Sequence, residues 1–171
     1  CSIVTDLDVV VDGAKKSNQT AMNRGESRRE KLSQLFDANP YVSIFYAPHT
    51  LEVDFASEES NKDFVYSVIR SMYKDAVIER HISTIKSGTE AERYDSVMTV
   101  VNNIKKGWYA TLLAEAIDAR AVIPMYILDA IVFAAKDILS EKLLWKMVQY
   151  SFEQYLPDSD FDDLKAAFKE A

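Results

Sequence analysis

The chain has 171 residues, 48% of them hydrophobic and 27% charged, with a formal net charge of -7 and a sequence pI near 4.9. That length holds one domain or two small lobes, and that composition excludes a disordered chain and a surface basic throughout of the kind that wraps nucleic acid. DNA chemistry at one metal-bearing point is not excluded, because the cation supplies the local positive charge.

Cys1 is the only cysteine, which rules out an intrachain disulfide and a cysteine-based zinc cluster and suits a reducing cytoplasm. No segment reads as a signal peptide or a bilayer span; the richest apolar run, 121–135, is broken by Pro124 and Asp129 and reads as a core helix. A cytoplasmic protein without membrane attachment is expected. The sequence starts at Cys1 without Met and runs at once into a strand, which suggests a piece of something longer.

Residues 2–11, SIVTDLDVVV, form an Ile- and Val-rich run closed by Asp12-Gly13, the pattern of a buried strand entering a turn. If Asp6 and Asp8 stay extended, the period of two puts both carboxylates on one face. Hard oxygen donors in that arrangement suit Mg²⁺ or Mn²⁺, and ligands gather beyond the carboxyl ends of strands in open α/β sheets. The plainer alternative is a pair of solvated acids at a strand-to-turn junction.

Residues 14–25 are polar and aperiodic and predict a loop; 26–36 predict a helix with Leu32, Leu35 and Phe36 on one side, stopped by Asn39-Pro40. A second strand is expected over 41–47, ended by Pro48. Strand, helix, strand is the order of a βαβ unit with a parallel sheet. From Thr50 onward the periodicity is helical, over 63–73, 77–85, 90–104, 108–117 after a break at Gly107, a helix opening near Pro124, 140–155, and 158–171 with Asp158 as N-cap. The expected fold class is therefore α/β, with two strands of a larger parallel sheet in residues 1–57 and a mostly helical lobe over 58–171. Two strands are too few for a complete doubly wound sheet.

A second acidic stretch, Thr50-Leu51-Glu52-Val53-Asp54, directly follows the second strand. Thr50 is a helix cap candidate, and acids in a first turn are favoured by the helix dipole alone. Adjacent parallel strands end at one edge, however, so Glu52 or Asp54 is placed to meet Asp6 and Asp8, an arrangement costly to keep ionised without cations between the acids. Lys105-Lys106-Gly107 offers a lysine at a helix start, beside a glycine that lets backbone approach, to neutralise a phosphate; the alternative is one more solvated lysine. His49 is a lesser candidate for the same edge, and His49 and His81 have no ligand spacing. Tyr94, Trp108, Tyr109, Tyr126 and Trp145 read as packing residues, and the acids at 158–163 lack the glycine and closing glutamate of a calcium loop.

Three stretches in order, VTDLD, then APHTLEVDFA, then KKGWYATLLAEAID with VIPMYILDAI, resemble the C-terminal Toprim region of the overcoming-lysogenization-defect (OLD) family of ATP-dependent nucleases, over residues 2 to about 135. The resemblance implies a metal-dependent DNA endonuclease module of phage-defence type, with an N-terminal ABC-type ATPase in the parent and oligomerisation through that parent. It implies two Mg²⁺ or Mn²⁺ ions held by Asp6, Asp8 and Glu52, with Asp54 as a further ligand, and Lys106 assisting cleavage, Lys105 if the register shifts by one. Toprim nucleases also need a glutamate on an earlier strand, so this fragment alone is expected to bind metal weakly and cut poorly. A haloacid-dehalogenase-like phosphatase, with Asp6 as nucleophile and Asp8 as acid/base, is the alternative enzyme, and a non-catalytic docking lobe the alternative without chemistry.

Overall fold

The computed structural model describes residues 1–15, 19–135 and 138–155. It is an α/β structure, mostly helical, built on a two-stranded parallel sheet. Strand β1 is Ser2–Asp6 and β2 is Ser43–Ala47, joined by helix α1, Gln19–Phe36. Register pairs Val4 with Phe45, Thr5 with Tyr46 and Asp6 with Ala47. The period of two sends Phe45 to one face, where its ring meets Phe133, and Tyr46 to the other, where Arg29 lies over it.

The remaining helices are α2 (Leu51–Ser57), α3 (Lys62–Met72), α4 (Asp75–Ser87), α5 (Glu90–Ile104), α6 (Lys106–Ala116), α7 (Met125–Ala135) and α8 (Glu141–Tyr155). Helices α2 to α6 close around one apolar core. Phe64, Val65, Val68 and Ile69 of α3 form its stripe at helical spacing, and Val97, Val100, Val101 and Ile104 of α5 form the facing one. Helix α5 starts where its sequence says, because Thr89 and Glu92 form a capping box. Helix α7 packs on both strands, with Ser2 Oγ donating to the Ala130 carbonyl at 2.6 Å.

The structure corrects three expectations. The first strand stops at Asp6, not Val11: Asp8 has φ 55°, a left-handed conformation that aspartate tolerates better than most residues and that ends strand geometry. The predicted loop over 14–25 is helical from Gln19; α1 faces the sheet there through Gly25, a residue that adds nothing to an apolar pattern. The break between α5 and α6 falls at Lys105, at φ 78°, and not at Gly107, which lies inside α6. Among the described residues nothing stands within 4 Å of where a Cβ on Gly107 would lie. The helix expected over 158–171, and its Asp158 cap, lie outside the described residues.

Candidate functional site

Parallel pairing brings the carboxyl ends of β1 and β2 to one edge, and the chains stay zipped beyond the strands. Leu7 N–H donates to the Ala47 carbonyl at 2.9 Å, and Val9 N–H to that of Pro48 at 3.1 Å. Pro48 has no N–H to continue the ladder, so the second chain turns and enters α2 at Thr50. Thr50 occupies the N-cap position, but its hydroxyl does not cap: it is directed to Met98 Sδ at 3.8 Å. Glu52 and Asp54 thus stand in the first turn of a helix that starts at the sheet edge.

The edge gathers Asp6, Asp8, Glu52 and Asp54 within electrostatic reach of one another, although the left-handed Asp8 defeats the strand alternation expected to align the first two. Lys106, the first residue of α6, brings its Nζ to 3.6 Å from Glu52 Oε2. That ion pair is too long for a hydrogen bond, and the buried Glu52 Oε2 has no hydrogen-bond partner. The choice between the two lysines is made by the backbone. Lys105, held at φ 78°, is the hinge, while Lys106 is the residue with a carboxylate beside it.

Arg28, which no sequence pattern distinguished, is the second cation of the edge. Its Nη1 donates to the Asp6 carbonyl at 2.7 Å and to Thr5 Oγ1 at 3.0 Å, and its Nη2 stands 3.5 Å from Asp8 Oδ2. Tyr109, one turn into α6, is fully buried with an unpartnered hydroxyl, and the nearby Glu52 charge helps to push its pKa up after burial itself. Reading it as a packing residue accounts for its ring and not for its oxygen. His49 contributes its backbone N–H to Asp54 Oδ1 at 3.4 Å, while its ring turns away, Nδ1 lying 2.7 Å from the Val9 carbonyl and the ring meeting Tyr94 edge-on. His81 is held in the core by Ser96 Oγ at 2.9 Å and takes no part.

Electrostatics follow from this crowding. Burial raises the Asp6 carboxyl above its usual range, Lys106 and Arg28 pull it back, and Asp8 and Glu52 push it further up. Asp54 is pushed up to about 6 from the ordinary 3.8, first by burial and then by Asp6 and Glu52, against the opposing pull of His49. The folded chain therefore keeps a proton on Asp54 where the unfolded chain has lost it, and this group's contribution to stability falls as pH climbs from about 4 to about 6. Asp54→Asn removes that cost. After discounting for partial solvent screening, the variant is expected to be more stable than the parent chain by about 1 kcal/mol above neutrality and equal to it below about pH 4, read by urea unfolding at the two ends of the range.

A hard divalent cation is tested against these donors. Carboxylate oxygens are the right chemistry, and Glu52 Oε2 and Asp54 Oδ2 are buried oxygens without hydrogen bonds. Their spacing is the other half: among the described residues, no three acidic, histidine or cysteine side chains stand close enough together to hold an ion. Arg28 and Lys106 answer the charge of the acids instead. Among the described residues no helix is long and apolar enough to cross a membrane. No protein-family model, curated protein or solved structure matches the chain.

Proposed function

We propose that the chain carries the aspartate-rich part of a metal-dependent DNA nuclease site of Toprim type, resembling the nuclease module that OLD-family proteins join to an ABC-type ATPase. The observation that carries this reading is the convergence of Asp6, Asp8, Glu52 and Asp54 with Lys106 where two parallel strands end, with two buried carboxylate oxygens left without hydrogen bonds. The resemblance assigns Mg²⁺ or Mn²⁺ to Asp6, Asp8 and Glu52, with Asp54 beside them and a further glutamate; since no three of the described acids stand close enough together to hold an ion, these would have to draw together around it. Bound there, such ions lower the pKa of a water and stabilise the oxygen leaving a phosphodiester.

The chain's own residues supply the rest. Lys106 Nζ, at a helix start and half exposed, is placed to face a phosphate oxygen as its charge develops. Asp54, holding its proton up to about pH 6, is the group able to take up or return a proton near neutrality. Arg28 fixes the backbone of Asp6 and so the direction in which that carboxylate leaves the strand.

The second reading, a docking lobe whose acids are merely paired, is favoured by one observation: Arg28 already stands beside Asp8 and Lys106 beside Glu52. A phosphatase with Asp6 as nucleophile is disfavoured, since burial works against the ionised carboxylate that such a nucleophile needs.

Mn²⁺ titration by calorimetry of the chain and of the double variant Asp6→Ala/Asp8→Ala separates the readings, followed by nicking of supercoiled plasmid by the same samples. The nuclease reading expects a weak site in the parent chain and at least a tenfold loss in the variant, about 1.4 kcal/mol or more. Equal affinity in the two would sink it and leave the docking lobe.

A further inference from the structure

A cavity of about 260 Å³ is lined by residues of α2, α4 and α5, and of the residues described at the acid edge only His49 reaches its lining. Its lining joins apolar Val53, Ala56, Ile85 and Val97 and the ring of Tyr94 to charged Lys62, Glu59, Arg93 and Glu90. Lys62 is the unusual member. Its side chain is only 8% exposed, and lysine is rarely buried unless paired. It is also the first residue of α3, where the helix dipole disfavours a cation.

The pairing that offsets these costs comes from a solvent-exposed side chain. Lys62 Nζ donates to Glu59 Oε2, but the Glu59 side chain is 84% exposed and belongs to the short turn Glu59–Asn61 before α3. Arg93, in the first turn of α5, and Lys86, near the end of α4, also act on the Glu59 carboxylate, so three cations bear on one exposed acid. A carboxylate carried by the chain itself occupies the position that an anion from solution would prefer.

We propose that this cavity is a binding site for a small organic anion, one carboxylate or phosphate group on a compact apolar body. The anionic head takes Glu59's place on Lys62 and Arg93, beside the first turn of α3. The body lies against Val53, Ala56, Ile85 and Val97. Glu59 is thus a competitor built into the site, and its removal strengthens binding. The proposal does not depend on the metal reading, because neither Lys62 nor Glu59 belongs to the acid edge.

Benzoate and phenyl phosphate are the probes, titrated into the chain in the presence of EDTA and followed by protein-observed NMR, with benzyl alcohol as the neutral control. The two anions distinguish a carboxylate from a phosphate head. Binding of either at millimolar concentration is expected, tightened about fivefold or more in Glu59→Gln and weakened at least tenfold in Lys62→Gln. Glu59 is exposed, so Glu59→Gln is expected to fold like the parent and keeps the test decisive should Lys62→Gln lose structure. Failure of both anions to bind, equal binding of benzyl alcohol, or affinity in Glu59→Gln no higher than in the parent would each overturn the proposal.

Discussion

Gly25→Ala is expected to destabilise the chain by about 2 kcal/mol, a fall in melting temperature of roughly 4–8 °C for a chain of this size. Intrinsic preference argues the other way, since alanine in a helix interior is favoured over glycine by about 1 kcal/mol. The packing overrides it. A Cβ built on Gly25 would stand 1.8 Å from the Leu7 carbonyl oxygen and 2.5 Å from its carbon, and backbone cannot rotate away as a side chain can. Helix α1 must then move outward from the end of β1. Arg28, one turn on, would lose its reach to the Asp6 carbonyl and to Asp8, so the same substitution should also disturb the acid edge. Ser27→Ala, on the exposed side of α1, is the control and is expected to melt at or slightly above the parent. A Gly25→Ala chain as stable as the parent by thermal circular dichroism would show that α1 does not depend on this contact.

Asn61→Ala is expected to cost more, about 3 kcal/mol. Asn61 is fully buried, and its side chain makes a two-way bond with a distant peptide unit. Nδ2 donates to the Val122 carbonyl and Oδ1 accepts from the Val122 N–H, both at 2.8 Å. Alanine leaves both groups of buried Val122 without partners, and each unpaired buried group costs about 1–3 kcal/mol. The other side of the same segment is held by Tyr150 of α8, whose hydroxyl donates to the Ala121 carbonyl at 3.1 Å and accepts from Ile123 N–H at 3.3 Å. This connection delivers α7 to the sheet, so its loosening should reach Phe133 and Phe45. Asn61→Asp tests the mechanism: the carboxylate keeps the bond from Val122 N–H and opposes the Val122 carbonyl, so it should be destabilising as well. Urea unfolding in which Asn61→Asp matches the parent would refute the two-way bond.

The helices whose stripes are apolar were legible in the residues. Helix α5 runs over the same residues that its periodicity marks, and α3, α4, α7 and α8 differ from their expected bounds by one or two positions. Burial of apolar side chains is what makes a helix periodic, so a helix that packs this way announces itself. Helix α1 was legible over 26–36, but its first turns, 19–25, were read as loop, where a glycine and not an apolar side chain meets the backbone of Leu7. The acid edge was legible in part. Glu52 and Asp54 follow a strand and Asp6 ends one, which is enough to place them together once the sheet is parallel. Arg28 lies inside the predicted helix, but a lone arginine there carries no signal of which distant carboxylate it will meet.

The sequence by itself determined the order strand, helix, strand, the helical remainder, and the placement of Asp6, Glu52 and Asp54 at one sheet edge, since these follow from local periodicity, breakers and topology. Only the tertiary structure decided that Lys106 and not Lys105 faces Glu52, that Asp8 leaves the strand, that Arg28 joins the acids and that Lys62 is buried behind Glu59. Each of these is a polar or backbone contact between segments far apart in sequence or turned by a strained residue. Hydrophobic pattern records which side of an element is buried; it does not record what a charged side chain finds there.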